Sequence, residues 1–152
     1  MAVCTGGSLA QYQYCVSHLP MSFTSENYFS HIVAGDDPEL TPDTRKPHPR
    51  PFTLAAQRFN PPPKDGMNGV LLFEDSILGL RSAVESGGRT VFVSKWRSMF
   101  TEENRPLIDR AALVLDTLEH FKPEAFGLPP YDSEEAEEDE EDEKIKEIKG
   151  KW

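Results

Sequence analysis

Three features of the sequence predict an α/β fold built on parallel strands. Short apolar runs alternate with stretches of helical pattern, the order of a strand–helix–strand chain. Two of these runs, residues 69–73 and 90–93, are apolar almost throughout instead of alternating, as strands covered on both faces of a parallel sheet are. Residues fit for polar chemistry follow directly on the ends of the runs, where an open α/β sheet gathers its ligands.

The elements can be taken in order. Ala2-Val3-Cys4 reads as the last part of a buried strand, running into a turn at Gly6 and Gly7. A core strand without a lead-in is expected to belong to a longer protein. Ser8 is placed to cap a helix reaching about His18. Residues 19–30, rich in Ser and aromatics, are expected to be irregular. His31-Ile32-Val33-Ala34 is a short strand ended by the turn Gly35-Asp36-Asp37-Pro38. Residues 41–51 contain four prolines and predict an extended loop without regular pairing. Pro51 suits the first position of a helix over 52–59, with Phe52, Leu54, Ala55, Ala56 and Phe59 on or near one face, and Pro61, Pro62 and Pro63 stop it. The run 69–73 gives way to Glu74-Asp75-Ser76. A helix over 78–86 then turns Leu80, Ala83 and Val84 inward and ends at Gly87-Gly88. Strands over 90–93 and 111–115 follow, separated by the polar segment 94–110.

The net charge of −10 is a property of one segment. Residues 132–143 hold ten acidic side chains and no basic one; removing those ten from the total of 26 leaves 16, which balances the 16 Lys and Arg. The body is therefore about neutral, and residues 132–152 are expected to form a solvated, disordered acidic tail behind a folded region over 1–131. A chain of this balance is not expected to bind nucleic acid. Two cysteines are too few for a disulfide framework, and no apolar run approaches membrane-spanning length, so a cytoplasmic setting with no membrane partner is expected.

Three places carry residues suited to phosphate chemistry. Thr5-Gly6-Gly7 offers a hydroxyl beside exposed backbone N–H groups on a turn into a helix, although such a turn also needs Gly simply to bend. Lys46, in Lys46-Pro47-His48-Pro49, is a cation on a stiffened loop; taken alone it is an ordinary solvated lysine, and His48 an ordinary surface residue. Glu74 and Asp75 are adjacent carboxylates at the carboxyl end of a buried strand, where mutual repulsion calls for a cation. Hard oxygens in such a place suit Mg²⁺, whereas a helix N-cap would explain Asp75 or Ser76 but not Glu74.

In order and approximate spacing, Thr5, Lys46 and Glu74-Asp75 resemble the second, third and fourth motifs of the haloacid dehalogenase superfamily. Further segments resemble its pseudouridine 5'-phosphatase branch: His31-Ile32-Val33 with Gly35-Asp36-Asp37-Pro38-Glu39, Lys46-Pro47, Phe73-Glu74-Asp75-Ser76 with Gly79, and Leu113-Val114-Leu115 through Phe126-Gly127-Leu128-Pro129. The resemblance covers about residues 1–131. It implies a Mg²⁺-dependent phosphatase that hydrolyses a small phosphorylated metabolite, such as a nucleoside or sugar phosphate, through an aspartyl-phosphate. Thr5 and the Gly6 N–H would then contact the phosphoryl group, Lys46 would pair with it, and Glu74 and Asp75 would hold Mg²⁺ directly or through water.

The departures from that family's pattern matter as much. Its first motif, Asp-x-Asp-x-Thr or Val, occurs nowhere in the sequence, and Asp36-Asp37 has the wrong spacing to replace it. Arg50 stands where the family usually has Asp, and Gly6-Gly7 replace a Ser-containing turn. The resemblance thus implies a partial, Rossmann-like parallel sheet with flanking helices, lacking the nucleophile strand and the helical cap. Such a chain is expected to be inactive alone, to leave two half-sheets with unpaired inner edges, and to be marginal, aggregation-prone or completed by another segment, such as a missing N-terminal one. The alternative is a non-catalytic interaction protein that keeps the scaffold and binds through its acidic tail.

Overall fold

The computed structural model describes residues 1–19 and 28–131. These described residues divide into two compact units, with the boundary between Leu118 and Glu119. The acidic tail, and the boundary expected at 131/132, lie outside the described residues.

In the first unit the strands are β1 (Ala2–Cys4), β2 (His31–Val33), β3 (Leu71–Glu74), β4 (Arg89–Val93) and β5 (Leu113–Leu115). All pairings among them are parallel, as the apolar runs predict. They form two sheets, one of order β1-β2 and one of order β3-β4-β5, with no ladder joining β1 to β3 among the described residues. The helices are α1 (Leu9–Val16), α2 (Arg50–Gln57), α3 (Ile77–Ser86) and the single-turn α4 (Arg105–Ile108).

Local chemistry explains the boundaries. Ser8 caps α1 through a capping box, its side chain accepting from the Gln11 N–H while the Gln11 side chain accepts from the Ser8 N–H. The Ser76 hydroxyl accepts from the Gly79 N–H to start α3, and Gly87, at φ 85°, ends it in the left-handed region that glycine adopts without strain. Helix α2 begins at Arg50, ahead of the expected start, because Pro51 is tolerated in a first turn whose N–H groups have no intrahelical partner.

Helix α2 holds the two sheets together. Leu54 and Ala55 pack with Val33 and Leu40 on the β2 side, while Phe52 packs with Leu72 and Ala83 on the β3 side; Cys4 touches both clusters. A third cluster, Leu80, Phe92, Leu107 and Ile108, fills the space between α3 and the three-stranded sheet. Burying each large side chain there contributes about 1.5–3 kcal/mol.

Four sequence expectations need correction. Strand β3 is not covered on both faces: Phe73 is 42% exposed, because it lines the cavity between the sheets. The strand includes Glu74, paired with Phe92, instead of stopping before it. Strand β5 starts at Leu113, since Ala111 packs in the α3–α4 cluster and its N–H closes the turn after α4 on the Ile108 carbonyl. The polar segment 94–110 contains α4 and a 3-10 turn at Arg97–Met99, with Leu107 and Ile108 supplying apolar anchors.

In the second unit the 3-10 turn Pro123–Phe126 ends at Gly127, φ 77°. The Phe121 and Phe126 rings lie 5.3 Å apart, and the Leu128 N–H closes the turn on the Pro123 carbonyl at 3.1 Å. Among the described residues no helix is long and apolar enough to cross a membrane.

Candidate functional site

All five site residues read from the sequence line one cavity of about 540 Å³ at the carboxyl ends of β1 and β3. Thr5 and Gly6 stand on one wall, Glu74 and Asp75 on the other, and Lys46 reaches in from the loop ahead of α2. Phe73, Leu78, Val93 and Leu118 complete an apolar side.

Lys46 is no solvated lysine. Its side chain is 11% exposed and forms a salt bridge with Glu74, itself 6% exposed. The ammonium also donates to the Cys4 carbonyl at 2.9 Å and sits 4.7 Å from the Phe52 ring centroid. Two of its three N–H bonds are so engaged, leaving one for an anion in the cavity. The Cys4 carbonyl faces away from β2, because the trans peptide that carries it points the Thr5 N–H at the Val33 carbonyl. Lys46 therefore covers the last carbonyl on the open edge of β1.

Glu74 and Asp75 differ in burial. Burial raises the Glu74 carboxyl above its ordinary value, with Lys46 pulling the other way and the Asp75 charge adding to the rise. Asp75 is exposed. The pocket for Glu74 depends on Gly79: a Cβ there would lie 2.6 Å from the Glu74 Oε1 and closer still to Oε2. On the opposite wall the Thr5 Oγ1 accepts from the Gly7 N–H at 3.2 Å, which leaves the hydroxyl hydrogen free to be donated to an anion.

Sequence reasoning missed Cys4 as a lining residue. Burial pushes its thiol up to about 11, with the Lys46 charge opposing and that of Glu74 reinforcing. It stays protonated at neutral pH and is no substitute nucleophile. The signal was its place at the end of β1, one residue before Thr5. Arg50, where an acidic residue was expected, donates to Gln57 at 3.0 Å and does not line the cavity. His48 is exposed, its Nδ1 accepting from the Arg50 N–H.

The donor set does not by itself make a Mg²⁺ site. Glu74 is committed to Lys46, Asp75 is a single exposed carboxylate, and no group of three His, Cys, Asp or Glu gathers among the described residues.

Parallel strands flanked by helices, with a hydroxyl, an ammonium and carboxylates at the strand ends, define an α/β protein with a polar cavity where open sheets of this class gather their ligands. No family model matches the chain. It is 38% identical over 102 residues to a (DL)-glycerol-3-phosphatase of Arabidopsis thaliana, covering 67% of this chain and 39% of that protein. It is 39% identical over 104 residues to a probable pseudouridine-5'-phosphatase of Drosophila melanogaster, covering 68% of this chain and 41% of the relative. A probable pseudouridine-5'-phosphatase of Saccharomyces cerevisiae is 28% identical over 136 residues, 84% of this chain and 54% of its own length. These relatives are members of the haloacid dehalogenase superfamily, and the similarity at 37–39% identity runs over about two-thirds of this chain. The chain spans about two-fifths of the length of the Arabidopsis and Drosophila relatives, and its identities to those two proteins differ by one percentage point.

Proposed function

We propose that this chain supplies the phosphate-clamping half of a Mg²⁺-dependent phosphatase for a small phosphate monoester, and that the aspartyl nucleophile comes from a segment outside this sequence. The observation that carries the reading is the Lys46 ammonium, fixed between Glu74 and the Cys4 carbonyl and facing Thr5 and Gly6 across one cavity. The spare Lys46 N–H and the Thr5 hydroxyl can bind two oxygens of a phosphoryl group. These are the charge-stabilising duties that dominate phosphoryl transfer. Neither group can start the reaction: Asp-x-Asp occurs nowhere in the sequence, and the Cys4 thiol is protonated. Mg²⁺, once its remaining ligands are supplied, would neutralise phosphoryl charge, with Asp75 as the contribution from this chain. The relatives' names point to glycerol 3-phosphate and pseudouridine 5'-phosphate as the substrates to try. A cytoplasmic setting fits the two free cysteines.

The test is hydrolysis of p-nitrophenyl phosphate, glycerol 3-phosphate and pseudouridine 5'-phosphate with and without Mg²⁺. The chain is assayed alone and co-expressed with the N-terminal half of a related phosphatase. The chain alone should be inactive. The pair should show Mg²⁺-dependent turnover that Lys46→Ala abolishes. Turnover by the chain alone, lost in Asp75→Ala, would overturn the need for a second segment. Indifference of a soluble chain to the added half would favour the interaction-protein reading.

A further inference from the structure

The segment Gly35-Asp36-Asp37 has the look of a metal motif without the spacing, and none of its residues lines the cavity. Its contacts point elsewhere. The Thr5 N–H donates to the Val33 carbonyl at 2.9 Å, and the Gly35 N–H donates to the Gly7 carbonyl at 2.7 Å. The Leu9 N–H, at the first position of α1, donates to the Asp36 Oδ1 at 2.8 Å. Three successive contacts thus bind residues 33–36 to residues 5–9, on the side of the turn away from the cavity walls of β3. Asp37 anchors the other end of the segment, accepting a two-pronged bond from Arg58 at 2.7 and 2.8 Å.

The fit leaves no room at Gly35. A Cβ there would lie 3.0 Å from the Gly6 carbonyl carbon and 3.2 Å from the Gly7 oxygen, and closer still to the Gly6 oxygen. Those are backbone atoms, which cannot step aside as a flexible side chain can. The requirement is steric, since Gly35 does not adopt a left-handed φ.

We infer that Gly35 and Asp36 are positioning residues, a backbone splint that sets where the Thr5-Gly6-Gly7 turn holds an anion. Neither touches the anion. Gly35 lets the second strand's loop lie directly under the turn, and Asp36 fixes the turn's exit by taking the first N–H of α1. Asp37 and Arg58 brace the splint from α2. The role of the turn in binding phosphate rests on the reading proposed above; the mechanical coupling does not.

The two can be separated with the 152-residue chain, inorganic phosphate as the probe, and NMR of the backbone amides. In Gly35→Ala, the amides of Thr5 and Leu9 should lose at least tenfold in hydrogen-exchange protection, while those of β4 keep theirs. Phosphate should bind at least tenfold more weakly than to the parent chain. Asp36→Ala should expose the Leu9 amide and weaken phosphate severalfold. Asp36→Asn, which keeps an acceptor oxygen, should restore both toward the parent, a rescue that a simple loss of packing would not show. Asp36→Ala also serves if Gly35→Ala does not fold. Unchanged protection of Thr5 and Leu9 in these variants would overturn the splint. If protection falls as expected but the parent chain binds no phosphate, the splint stands and the phosphatase reading fails. If protection falls while phosphate affinity stays at the parent's value, the splint does not govern the anion site and the inference is overturned.

Discussion

Gly79→Ala separates two opposite expectations. Replacing glycine by alanine inside a helix ordinarily stabilises it by roughly 0.5–1 kcal/mol. Gly79 lies in the first turn of α3, yet its missing Cβ is the space that the Glu74 carboxylate occupies. At 2.6 Å from Oε1 and less from Oε2, an added methyl sits well inside the roughly 3.4 Å that non-bonded heavy atoms need. Either the carboxylate retreats from Lys46 or the start of α3 moves outward. Overpacking of this kind costs about 1–3 kcal/mol. Loosening a pair whose side chains are 11% and 6% exposed adds part of the roughly 3–5 kcal/mol that stripping one partner from a buried pair costs. The net expectation is a loss of about 2 kcal/mol or more. The assay is chemical denaturation of the parent, Gly79→Ala, Glu74→Asp and the double variant. A carboxylate shorter by one methylene should make room, so alanine at 79 should cost at least about 1 kcal/mol less beside Glu74→Asp than in the parent. Stabilisation by Gly79→Ala, or an equal cost in both backgrounds, would refute the reasoning.

Two further outcomes follow from the charges. The Arg58 guanidinium, aided by the Glu39 N–H and opposed by burial, holds the Asp37 carboxyl below the ordinary carboxylate range. A depressed carboxylate contributes stability above its unfolded value, about 3.9, and loses it as pH falls through the folded one. Asp37→Asn should therefore cost about 1–2 kcal/mol at pH 7 in denaturation midpoints, with the difference fading below about pH 4. Iodoacetamide at neutral pH should alkylate exposed Cys15 and spare Cys4, whose thiol is pushed up to about 11, until the chain is unfolded; mass spectrometry of the peptides reads this directly.

The sequence made the elements legible where local chemistry alone decides them. Ser8 as one cap, Asp75 or Ser76 as another, Gly87 as a stop, and the apolar strands needed no tertiary information. What stayed hidden depends on neighbours far along the chain. The exposure of Phe73 follows from the absence of a ladder between β1 and β3, which no property of the run 69–73 encodes. Lys46 reads as a surface residue because its partners, Cys4 and Glu74, are 42 and 28 positions away. The spacing of Glu74 and Asp75 flagged the pair but not its division of labour. That division comes from strand geometry, since successive residues point to opposite sides and only Glu74 turns toward the buried Lys46. The work of Gly35 is invisible for the same reason: the clash it avoids is with the backbone of Gly6.

The Lys46–Glu74 pair is an odd way to join two sheets. Desolvating both charges costs several kcal/mol that their attraction only partly returns, and a pair of well-packed apolar residues of similar volume would serve stability as well or better. The sheets already share an apolar fastening, with Phe52 and Leu54 of α2 seated in clusters on opposite sides and Cys4 touching both. The ammonium is therefore not needed to hold the halves. What it supplies is a fixed positive charge beside the open edge of β1, in a cavity with Thr5 and Asp75. On the reading proposed above, a cation held there by a buried carboxylate would meet a second anion, and a phosphoryl group, not the fold, would gain from it.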